Sequence, residues 1–452
     1  MKDMRDMRDG KGAPPARLPV LLLLSLLVAL QGTALLPPAL AGGGKERPRV
    51  EVRILPRRVD AVADHVGPYS GLSGTFQQLL DWIEEHRWYP VDRGIGVYLD
   101  DPTRVRAERL RSVARIPVNV SGDPLPAPAP GKLGARLERT DPVLVASLLH
   151  VGPWDRVRPT ISRLLLRLPA LGLEVAGPEM ERYLNGPEDV PPERLETEVM
   201  FPVEPRGRAD IGIYADWGGF PAGIEAASLC FTAAGLTVRP LLARDINDGS
   251  FARKVRAVYM PGGWAAHYVR DITDAGARHL QEFVEKGGGY LGICAGSYYA
   301  AREISWNGKR WPYDLDLFPG VPTGPIRRIA PWPRYATVRV SLAQDHPLTA
   351  GGPATRTVLY YGGPVLAPRE GADAKILGRL DPGGEPVIVA FRKGRGRVFL
   401  SAVHLEFDLT SRRDRTDWPE KEKGIDDPES DWDLLQGAAR WVLGKDPSGR
   451  GR

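Results

Sequence analysis

The sequence has few cysteines, few histidines, no long basic run and no apolar run of membrane-spanning length. Its 452 residues include two cysteines, Cys230 and Cys294, and seven histidines. Exported proteins often carry disulfides, but two cysteines make no disulfide framework, and Cys294 lies in a motif typical of catalytic cysteines. We therefore expect no disulfide framework.

Charge gives no indication of a nucleic-acid partner. Lys and Arg number 61 against 56 Asp and Glu, which leaves a net charge of +5. The most basic segment, Arg392 to Arg397, lies between the apolar stretches Pro386 to Phe391 and Val398 to Val403, which favours a hairpin turn over a phosphate-binding patch. We expect no nucleic acid among the partners, and no residue pattern indicates a metal or cofactor.

The amino terminus predicts export. A charged start, Met1 to Arg17, precedes the apolar run Leu18 to Leu30, and Ala39-Leu40-Ala41 then supplies small residues at cleavage spacing. The alternative is a retained anchor, but thirteen apolar residues fall short of the roughly 20 that a membrane span needs. We expect residues 1–41 to be a signal peptide, the mature protein to be periplasmic or extracellular, and no stable membrane insertion after cleavage.

The length predicts two or three domains, and the first of them contains an internal repeat. His65-Val-Gly-Pro-Tyr69 returns as His150-Val-Gly-Pro-Trp154, at an offset of 150 − 65 = 85 residues. We interpret residues 60–118 and 145–203 as two copies of one unit. The same offset, without a gap, relates Tyr98 to Tyr183, Pro102 to Pro187, Glu108 to Glu193 and Pro117 to Pro202.

Each copy is predicted as strand, turn, helix, strand, strand. A proline-rich connector from Asp123 to Pro130 separates the copies and forms neither a helix nor a sheet ladder. An apolar stripe at helical spacing occurs in both copies, which duplicates the buried helix face. The stripe consists of Phe76, Leu79, Leu80 and Ile83 in the first copy, and of Ile161, Leu164, Leu165 and Leu168 in the second.

Residues 50–205 resemble the GyrI-like, or SOUL-type, effector-binding fold. The matching segments are His65 to Tyr69, Gly96 to Pro102, Gly177 to Leu184 and Thr197 to Val203. The resemblance implies a duplicated α+β domain whose halves are related by a pseudo-twofold axis, with a small-molecule cleft between two helices.

The resemblance also implies that Glu181, beside Tyr183, lies in that cleft. The counterpart of Glu181 in the first copy is Gly96, since 181 − 85 = 96. A single acid in an aromatic cleft suits an organic cation. The alternative is that Tyr98 and Tyr183 are core residues and Glu181 a solvated strand residue. The candidate ligand-binding residues are Tyr69, Tyr98, Trp154, Glu181 and Tyr183.

From Ala209 the pattern changes to alternating strands and helices. Ile211 to Tyr214 is predicted as a strand, Gly223 to Ala234 as a helix and Thr237 to Leu242 as a strand. Such alternation predicts a parallel sheet. We expect a second domain of the α/β class over residues 209–446.

A strand-to-helix turn in this domain carries Cys294. The pattern Gly292-x-Cys294-x-Gly296 is typical of a nucleophile elbow, in which glycines permit a strained turn and close backbone packing. The helix amino terminus favours a thiolate, and the amide of Ala295 faces the same space. A second amide from Gly262 or Gly263, after the strand Val255 to Met260, is expected to complete an oxyanion hole.

The expected base is His404, which follows the strand Val398 to Val403. Glu406 lies two residues further on, where strand geometry would put both side chains on one face. Cys294, His404 and Glu406 are therefore a candidate triad. For His404 alone, the alternative is a buried histidine with a structural role.

Ile211 to Phe407 resembles the class I glutamine amidotransferase-like superfamily, and most closely the amino-terminal domain of biotin-protein ligase. The most specific segment is Gly289 to Ala300, and Phe318 to Gly320, Gly324-Pro325 and Tyr360 to Pro364 agree further. The resemblance implies a flavodoxin-like fold with a mostly parallel sheet.

Two departures from that superfamily concern the substrate. Glutamine-using members carry Gln four residues after the nucleophile, where this chain has Tyr298, and Leu405 replaces the proline of their His-Pro-Glu. The resemblance therefore does not imply glutamine as substrate. Biotin ligation is not implied either, since no ligase catalytic domain follows the predicted helix Trp432 to Leu443.

Two functions follow from the sequence. The first is an exported cysteine-dependent hydrolase or amidase, in which Cys294 attacks an acyl carbon, His404 shuttles the proton and Glu406 orients it. The second is a non-catalytic ligand-binding or sensing protein with a vestigial triad. Fold alone does not decide between them. In both, the expected partner is a small molecule.

Overall fold

The structure, a computed structural model, describes residues 49–122, 124–129, 131, 133–407 and 430–449. The predicted signal peptide, residues 1–41, lies outside the described residues. No helix among the described residues is long and apolar enough to cross a membrane.

The first nine strands form an antiparallel sheet that carries the sequence repeat. The strands are β1 (Glu51–Leu55), β2 (Arg58–Val66), β3 (Ile95–Tyr98), β4 (Arg111–Pro117), β5 (Arg136–Thr140), β6 (Val143–Val151), β7 (Leu173–Val175), β8 (Glu179–Tyr183) and β9 (Glu196–Pro205). Along the sheet their order is β1-β6-β9-β8-β3-β4-β2-β5, and β7 pairs with β9. Two helices belong to this part, α1 (Leu72–Glu85) and α2 (Arg158–Arg167).

The two copies meet at the centre of this sheet, between β3 and β8. The inner order β6-β9-β8 followed by β3-β4-β2 is symmetric, because β6, β8 and β9 are the repeats of β2, β3 and β4. Gly96 pairs with Glu181, and 181 − 96 = 85 is the repeat offset itself. The pseudo-twofold axis therefore passes between Gly96 and Glu181.

The histidine of each repeated motif holds the turn between a strand and its helix. His65 Nδ1 lies 2.9 Å from Thr75 Oγ1 and its Nε2 lies 3.1 Å from the Pro68 carbonyl. His150 makes the equivalent contacts with Thr160 and Pro153, at 3.1 and 3.2 Å. The duplicated histidines thus have a structural role.

The second sheet has the order β11-β10-β12-β13-β21-β20-β19-β17-β18, beside a small three-stranded sheet, β15-β14-β16. Its strands are β10 (Ala209–Tyr214), β11 (Val238–Leu241), β12 (Val255–Met260), β13 (Gly289–Ile293), β17 (Ala336–Leu342), β18 (Thr355–Tyr360), β19 (Ala374–Asp381), β20 (Pro386–Lys393) and β21 (Gly396–Ser401), and the small sheet contains β14 (Glu303–Trp306), β15 (Lys309–Pro312) and β16 (Thr323–Gly324). The helices are α3 (Pro221–Ala233), α4 (Ala243–Asn247), α5 (Phe251–Lys254), α6 (Ala265–Asp271), α7 (Asp274–Glu285), α8 (Ala295–Tyr299) and α9 (Trp432–Val442).

The second sheet is mixed, so the expectation of a mostly parallel sheet is not confirmed. The pairings from β11 to β21 are parallel, whereas those from β21 to β18 are antiparallel. The reason is the connection type: helices cross over between the strands up to β13, but β20 and β21 are joined by a hairpin at Gly394-Arg395. The basic segment is thus a hairpin turn, as predicted.

The β1 strand joins the two sheets. It pairs with β6 in the first sheet and also contacts α3, a helix of the second domain. The Ile54 amide donates to Ser228 Oγ at 2.9 Å, and Thr232 Oγ1 donates to the Val52 carbonyl at 2.7 Å. These contacts satisfy edge-strand polar groups of β1 with side chains of α3.

Candidate active site and ligand cleft

Cys294 lies in a strained turn between β13 and α8. Its φ of 48° and ψ of −102° lie in a region that non-glycine residues rarely adopt. A Cβ at Gly292 would lie 2.6 Å from the Gly296 carbonyl oxygen, and one at Gly296 would lie 2.1 Å from that of Met260. Both glycines of the motif are therefore required by close backbone packing, which presents the thiol at the end of the parallel strands.

The segment after β12 lies directly against the cysteine and the histidine. A Cβ at Gly262 would be 2.6 Å from His404 Cε1 and 3.5 Å from Cys294 Cβ. Gly263 has a φ of 134°, and a Cβ there would be 1.9 Å from the Gly218 carbonyl oxygen. A side chain at either position would clash: Gly262 packs on His404 and Cys294, whereas Gly263 packs on the Gly218 backbone. Ala295 follows Cys294 as the first residue of α8.

His404 and Glu406 form a buried pair beyond the end of β21. His404 Nδ1 lies 2.8 Å from Glu406 Oε1, with 2% and 0% of the two side chains exposed. The strand ends at Ser401, so the pair meets across a turn and not by strand alternation as expected. His404 is held by its amide, which donates to the Leu359 carbonyl at 2.9 Å. The Trp432 indole donates to the Glu406 carbonyl at 2.7 Å.

The second ring nitrogen of His404 differs from the first in its hydrogen bonding. Among the described residues, His404 Nε2 and Glu406 Oε2 are buried without a hydrogen-bond partner. Burial opposes protonation of the ring, but the Glu406 charge and the adjacent Cys294 outweigh it and raise the His404 pKa well above its ordinary value. Glu406 and Cys294 thus both favour the protonated form of the ring.

Tyr298, four residues after the nucleophile, is buried beside Cys294. Its hydroxyl donates to the Gly362 carbonyl at 3.1 Å, and a Cβ at Gly324 would lie 1.9 Å from that hydroxyl. Cys294 Sγ donates to the Tyr361 carbonyl at 3.3 Å. Leu405 is fully buried. Tyr298 is thus part of the buried surroundings of the thiol, and Leu405 is part of the core.

The five candidate ligand residues of the first sheet are connected by ring contacts and hydrogen bonds at the pseudo-twofold axis. Tyr98 and Tyr183 donate to the same oxygen of Glu181, at 2.9 and 3.3 Å, and their hydroxyls also contact each other. Tyr69 packs edge to face on Tyr98 at 4.8 Å, and Trp154 packs on Tyr183 at 5.6 Å.

Glu181 is 5% exposed, which argues against the alternative of a solvated strand residue. Burial raises the Glu181 pKa, and the two tyrosine hydroxyls oppose that shift by donating to it. A Cβ at Gly96, on the other side of the axis, would be 2.9 Å from the Tyr183 hydroxyl. The cluster thus has one carboxylate on the axis because a side chain at position 96 would displace the tyrosines.

Two family models match the chain. The model for the GyrI-like small molecule binding domain matches residues 61–204, and the model for the amino-terminal region of biotin-protein ligase matches residues 230–431. The chain is a fusion of a GyrI-like domain and a biotin-protein ligase N-terminal domain. The combination predicted from the sequence is thereby confirmed.

Individual relatives match parts of this fusion. The biotin-protein ligase of Schizosaccharomyces pombe is 28% identical over 195 residues, which cover 38% of this chain and 29% of the ligase. An uncharacterized protein of Chlamydia muridarum is 30% identical over 173 residues, covering 36% of this chain and 64% of that protein. The chain thus spans less than two thirds of either relative. A solved glutamine amidotransferase structure is 18% identical with a TM-score of 0.36, covering 52% of this chain and 98% of that structure.

The GyrI-like domain contains a second acid that the sequence analysis missed. Glu179 lies on the same strand as Glu181, two residues earlier, so strand alternation puts both on one face. Burial and then the charge of Glu181 raise the Glu179 pKa to about 7. Its counterpart in the first copy is Gly94, since 179 − 85 = 94. The same offset of 85 residues that distinguishes Glu181 from Gly96 also distinguishes Glu179 from Gly94, so the sequence repeat contained the signal for Glu179.

Proposed function

We propose that the ligase-type domain is a cysteine-dependent hydrolase or amidase for a small amide or acyl compound. In this proposal Cys294 is the nucleophile, His404 transfers the proton and Glu406 positions the ring. The observation that carries this proposal is the hydrogen bonding and the raised pKa of the His404 ring. Its Nδ1 is bonded to Glu406 at 2.8 Å, Nε2 has no hydrogen-bond partner among the described residues, and Cys294 contributes to raising the pKa of the ring.

The proposed reaction begins with transfer of the thiol proton from Cys294 to His404 Nε2. The sulfur then forms a bond to the acyl carbon, and the carbonyl oxygen takes up the negative charge. Amides of Ala295 and of Gly262 or Gly263 are proposed to stabilise that oxygen. His404 returns the proton to the leaving amine or alcohol as its bond to carbon breaks. Water, deprotonated by His404, then hydrolyses the thioester and restores the thiol.

Glutamine is not the proposed substrate. Tyr298 fills the position next to the nucleophile with an aromatic ring that is hydrogen bonded to Gly362. We propose that the parallel half of the sheet, β11-β10-β12-β13-β21, is a flavodoxin-like core that positions this site, and that the antiparallel half extends it. We also propose that the mature protein is exported and has no nucleic-acid partner, on the composition and amino-terminal pattern of the sequence.

The activation of the thiol can be tested with iodoacetamide, followed by mass spectrometry at the Cys294 peptide. We expect Cys294 to react faster than glutathione at pH 6, where an unactivated thiol is almost fully protonated. Replacing His404→Gln should slow the reaction at pH 6 by tenfold or more, because the imidazolium partner of the thiolate is lost. Cys230, which is fully buried, provides the internal reference for unfolding, since it should stay unmodified.

An equal rate and an equal pH dependence in the protein and in its His404→Gln variant would contradict the enzyme proposal. That result would favour the alternative, a ligand-binding protein with a vestigial triad. With an activated thiol established, a screen of small amides and thioesters, with Cys294→Ala as control, would then identify the substrate class.

The GyrI-like domain supports a second proposed function, the binding of an aromatic cation. The observation that favours it is the buried Glu181 carboxylate within four aromatic rings. Tetraphenylphosphonium binding, measured by calorimetry, provides the test. Replacing Glu181→Gln should weaken binding by about 1.5 to 3 kcal/mol, whereas the exposed Glu193→Gln should not. Unchanged affinity of the Glu181→Gln variant would exclude the role given to this carboxylate.

A further inference from the structure

Four aromatic side chains from four separate segments converge beside the candidate active site. We call Trp264, Trp306, Trp332 and Tyr361 the aromatic wall. Trp332 lies at its centre: its ring centroid is 5.1 Å from that of Trp264, 5.9 Å from that of Trp306 and 4.9 Å from that of Tyr361. The Trp332 and Tyr361 rings are stacked, with an angle of 19° between their planes.

The aromatic wall is attached to the nucleophile at two points. The Tyr361 carbonyl accepts the hydrogen bond from Cys294 Sγ at 3.3 Å. Trp264 directly follows Gly262 and Gly263, the segment that lies against the cysteine and His404. The wall is therefore next to the thiol.

The arrangement of the wall depends on a glycine. Gly362, which follows Tyr361, has a φ of 74°, and a Cβ at this position would lie 2.8 Å from the Trp332 ring. A side chain there would push Trp332 away from Tyr361. The wall is nevertheless open to solvent, since Trp264 is 44% exposed and the other three rings are partly exposed. Large aromatic surfaces left accessible beside a reactive group are typical of ligand-binding sites.

We propose that the aromatic wall selects the substrate of Cys294, and that the substrate carries a flat aromatic group next to its acyl carbon. This inference rests on the proposed hydrolase function. Stacking and edge-to-face contacts favour a planar ring over a saturated ring of similar size. Glutamine, by contrast, carries no ring that could make such contacts with the wall. The wall thus accounts for a substrate that differs from glutamine.

Three iodoacetamides test the proposal: iodoacetamide itself, N-benzyl iodoacetamide and N-cyclohexylmethyl iodoacetamide. In each, the Cys294 sulfur forms a bond to the methylene carbon and iodide leaves. The measured quantity is the second-order rate of Cys294 modification divided by the rate of glutathione with the same reagent. We expect the benzyl reagent to exceed both the parent and the cyclohexylmethyl reagent by roughly threefold to tenfold in this ratio.

Variants then assign the preference to the wall. Trp332→Leu and, separately, the more exposed Trp264→Leu should each lower the ratio of the benzyl rate to the cyclohexylmethyl rate at Cys294, a ratio in which any change in the reactivity of the thiol itself cancels. Trp88→Leu is the matched control, because Trp88 packs on Trp82 and His86 in the GyrI-like domain, and it should change neither rate. Far-ultraviolet circular dichroism of each variant ensures that folded proteins are compared.

The outcomes separate this inference from the proposed function on which it rests. Slow modification by all three reagents would contradict thiol activation, and with it both proposals. Fast modification by iodoacetamide with equal benzyl and cyclohexylmethyl ratios would leave the activated thiol in place and overturn the aromatic selection. A benzyl preference that survives both Trp332→Leu and Trp264→Leu would likewise overturn the role of the wall.

Discussion

Arg53 and Glu225 connect the two sheets: Arg53 Nε on β1 donates to Glu225 Oε1 on α3 at 2.7 Å. The same guanidinium donates to Glu198 at 2.7 and 2.9 Å and to Ser147 at 2.9 Å, and it is fully buried. Glu198 in turn accepts from Arg182, the residue after Glu181, at 2.7 Å. A continuous ion-pair chain therefore joins α3 of the ligase-type domain to β8, the strand that carries Glu181.

The first prediction concerns this chain. Replacing Arg53→Met should lower the free energy of unfolding by about 3 kcal/mol, because Glu225 and the buried Glu198 each lose an ion pair, although Glu198 keeps the one with Arg182. Urea unfolding at neutral pH provides the measurement. Arg104→Met is the control, since Arg104 is 85% exposed beside Asp101 and should change stability by less than about 0.5 kcal/mol. Equal stability of both variants would contradict a structural role for the Arg53 network.

The second prediction concerns the titration of His404. The His404 pKa is raised in the folded protein, so protonation of the ring stabilises the fold. This stabilisation is complete below the ordinary histidine pKa of about 6.5, and it is lost as the pH rises through the raised pKa. Replacing Glu406→Gln removes the charge that raises the pKa. The His404 proton resonances should therefore titrate at lower pH in Glu406→Gln than in the unaltered protein. Identical midpoints by nuclear magnetic resonance would rule out this electrostatic coupling.

The third prediction is a pH dependence of cation binding to the GyrI-like domain. Because the Glu179 pKa is raised to about 7, the Glu179 carboxyl of the ligand-free protein is mostly protonated at pH 6. A bound cation favours the ionised carboxylate, so binding at this pH must displace the proton. Tetraphenylphosphonium affinity should therefore rise between pH 6 and pH 8. The Glu179→Gln variant should lose most of this dependence, because its side chain does not ionise.

The same shift predicts the opposite trend for the stability of the ligand-free protein. A raised carboxyl pKa means that the stabilising effect of protonation is complete below the ordinary glutamate pKa of about 4.3 and is lost as pH rises through about 7. The stability of the unaltered protein relative to Glu179→Gln should thus be greater at pH 5 than at pH 8. Thermal unfolding of both proteins across this range checks the sign.

The fourth prediction concerns export. Ala39-Leu40-Ala41 after the apolar run predicts a mature amino terminus near Gly42. Intact-mass measurement of the protein recovered from the producing cell should give the mass of the chain without residues 1–41. A recovered protein that retains Met1 or Lys2 would contradict cleavage and favour a membrane anchor.

Short-range and repeating features were predictable because they depend on spacing along the chain. The offset of 85 residues identified both copies of the repeat, and the symmetric sheet order follows from it. The strand Val255–Met260 was predicted with its observed bounds, since six consecutive residues without turn formers read as one buried strand. The pattern around Cys294 likewise predicted a turn between strand and helix, because glycines two residues before and after it permit close backbone packing.

By itself, the sequence determined the repeat, the two-domain fusion and the candidate nucleophile, because all three depend on the spacing of residues along the chain. Only the tertiary structure decided what surrounds them. It brought Glu406 to His404 across a turn, added four antiparallel pairings to the parallel strands and assembled the aromatic wall from four distant segments. It also set the pKa values of Glu179 and His404, because burial and neighbouring charge, and not residue type, determine how strongly a buried group holds its proton.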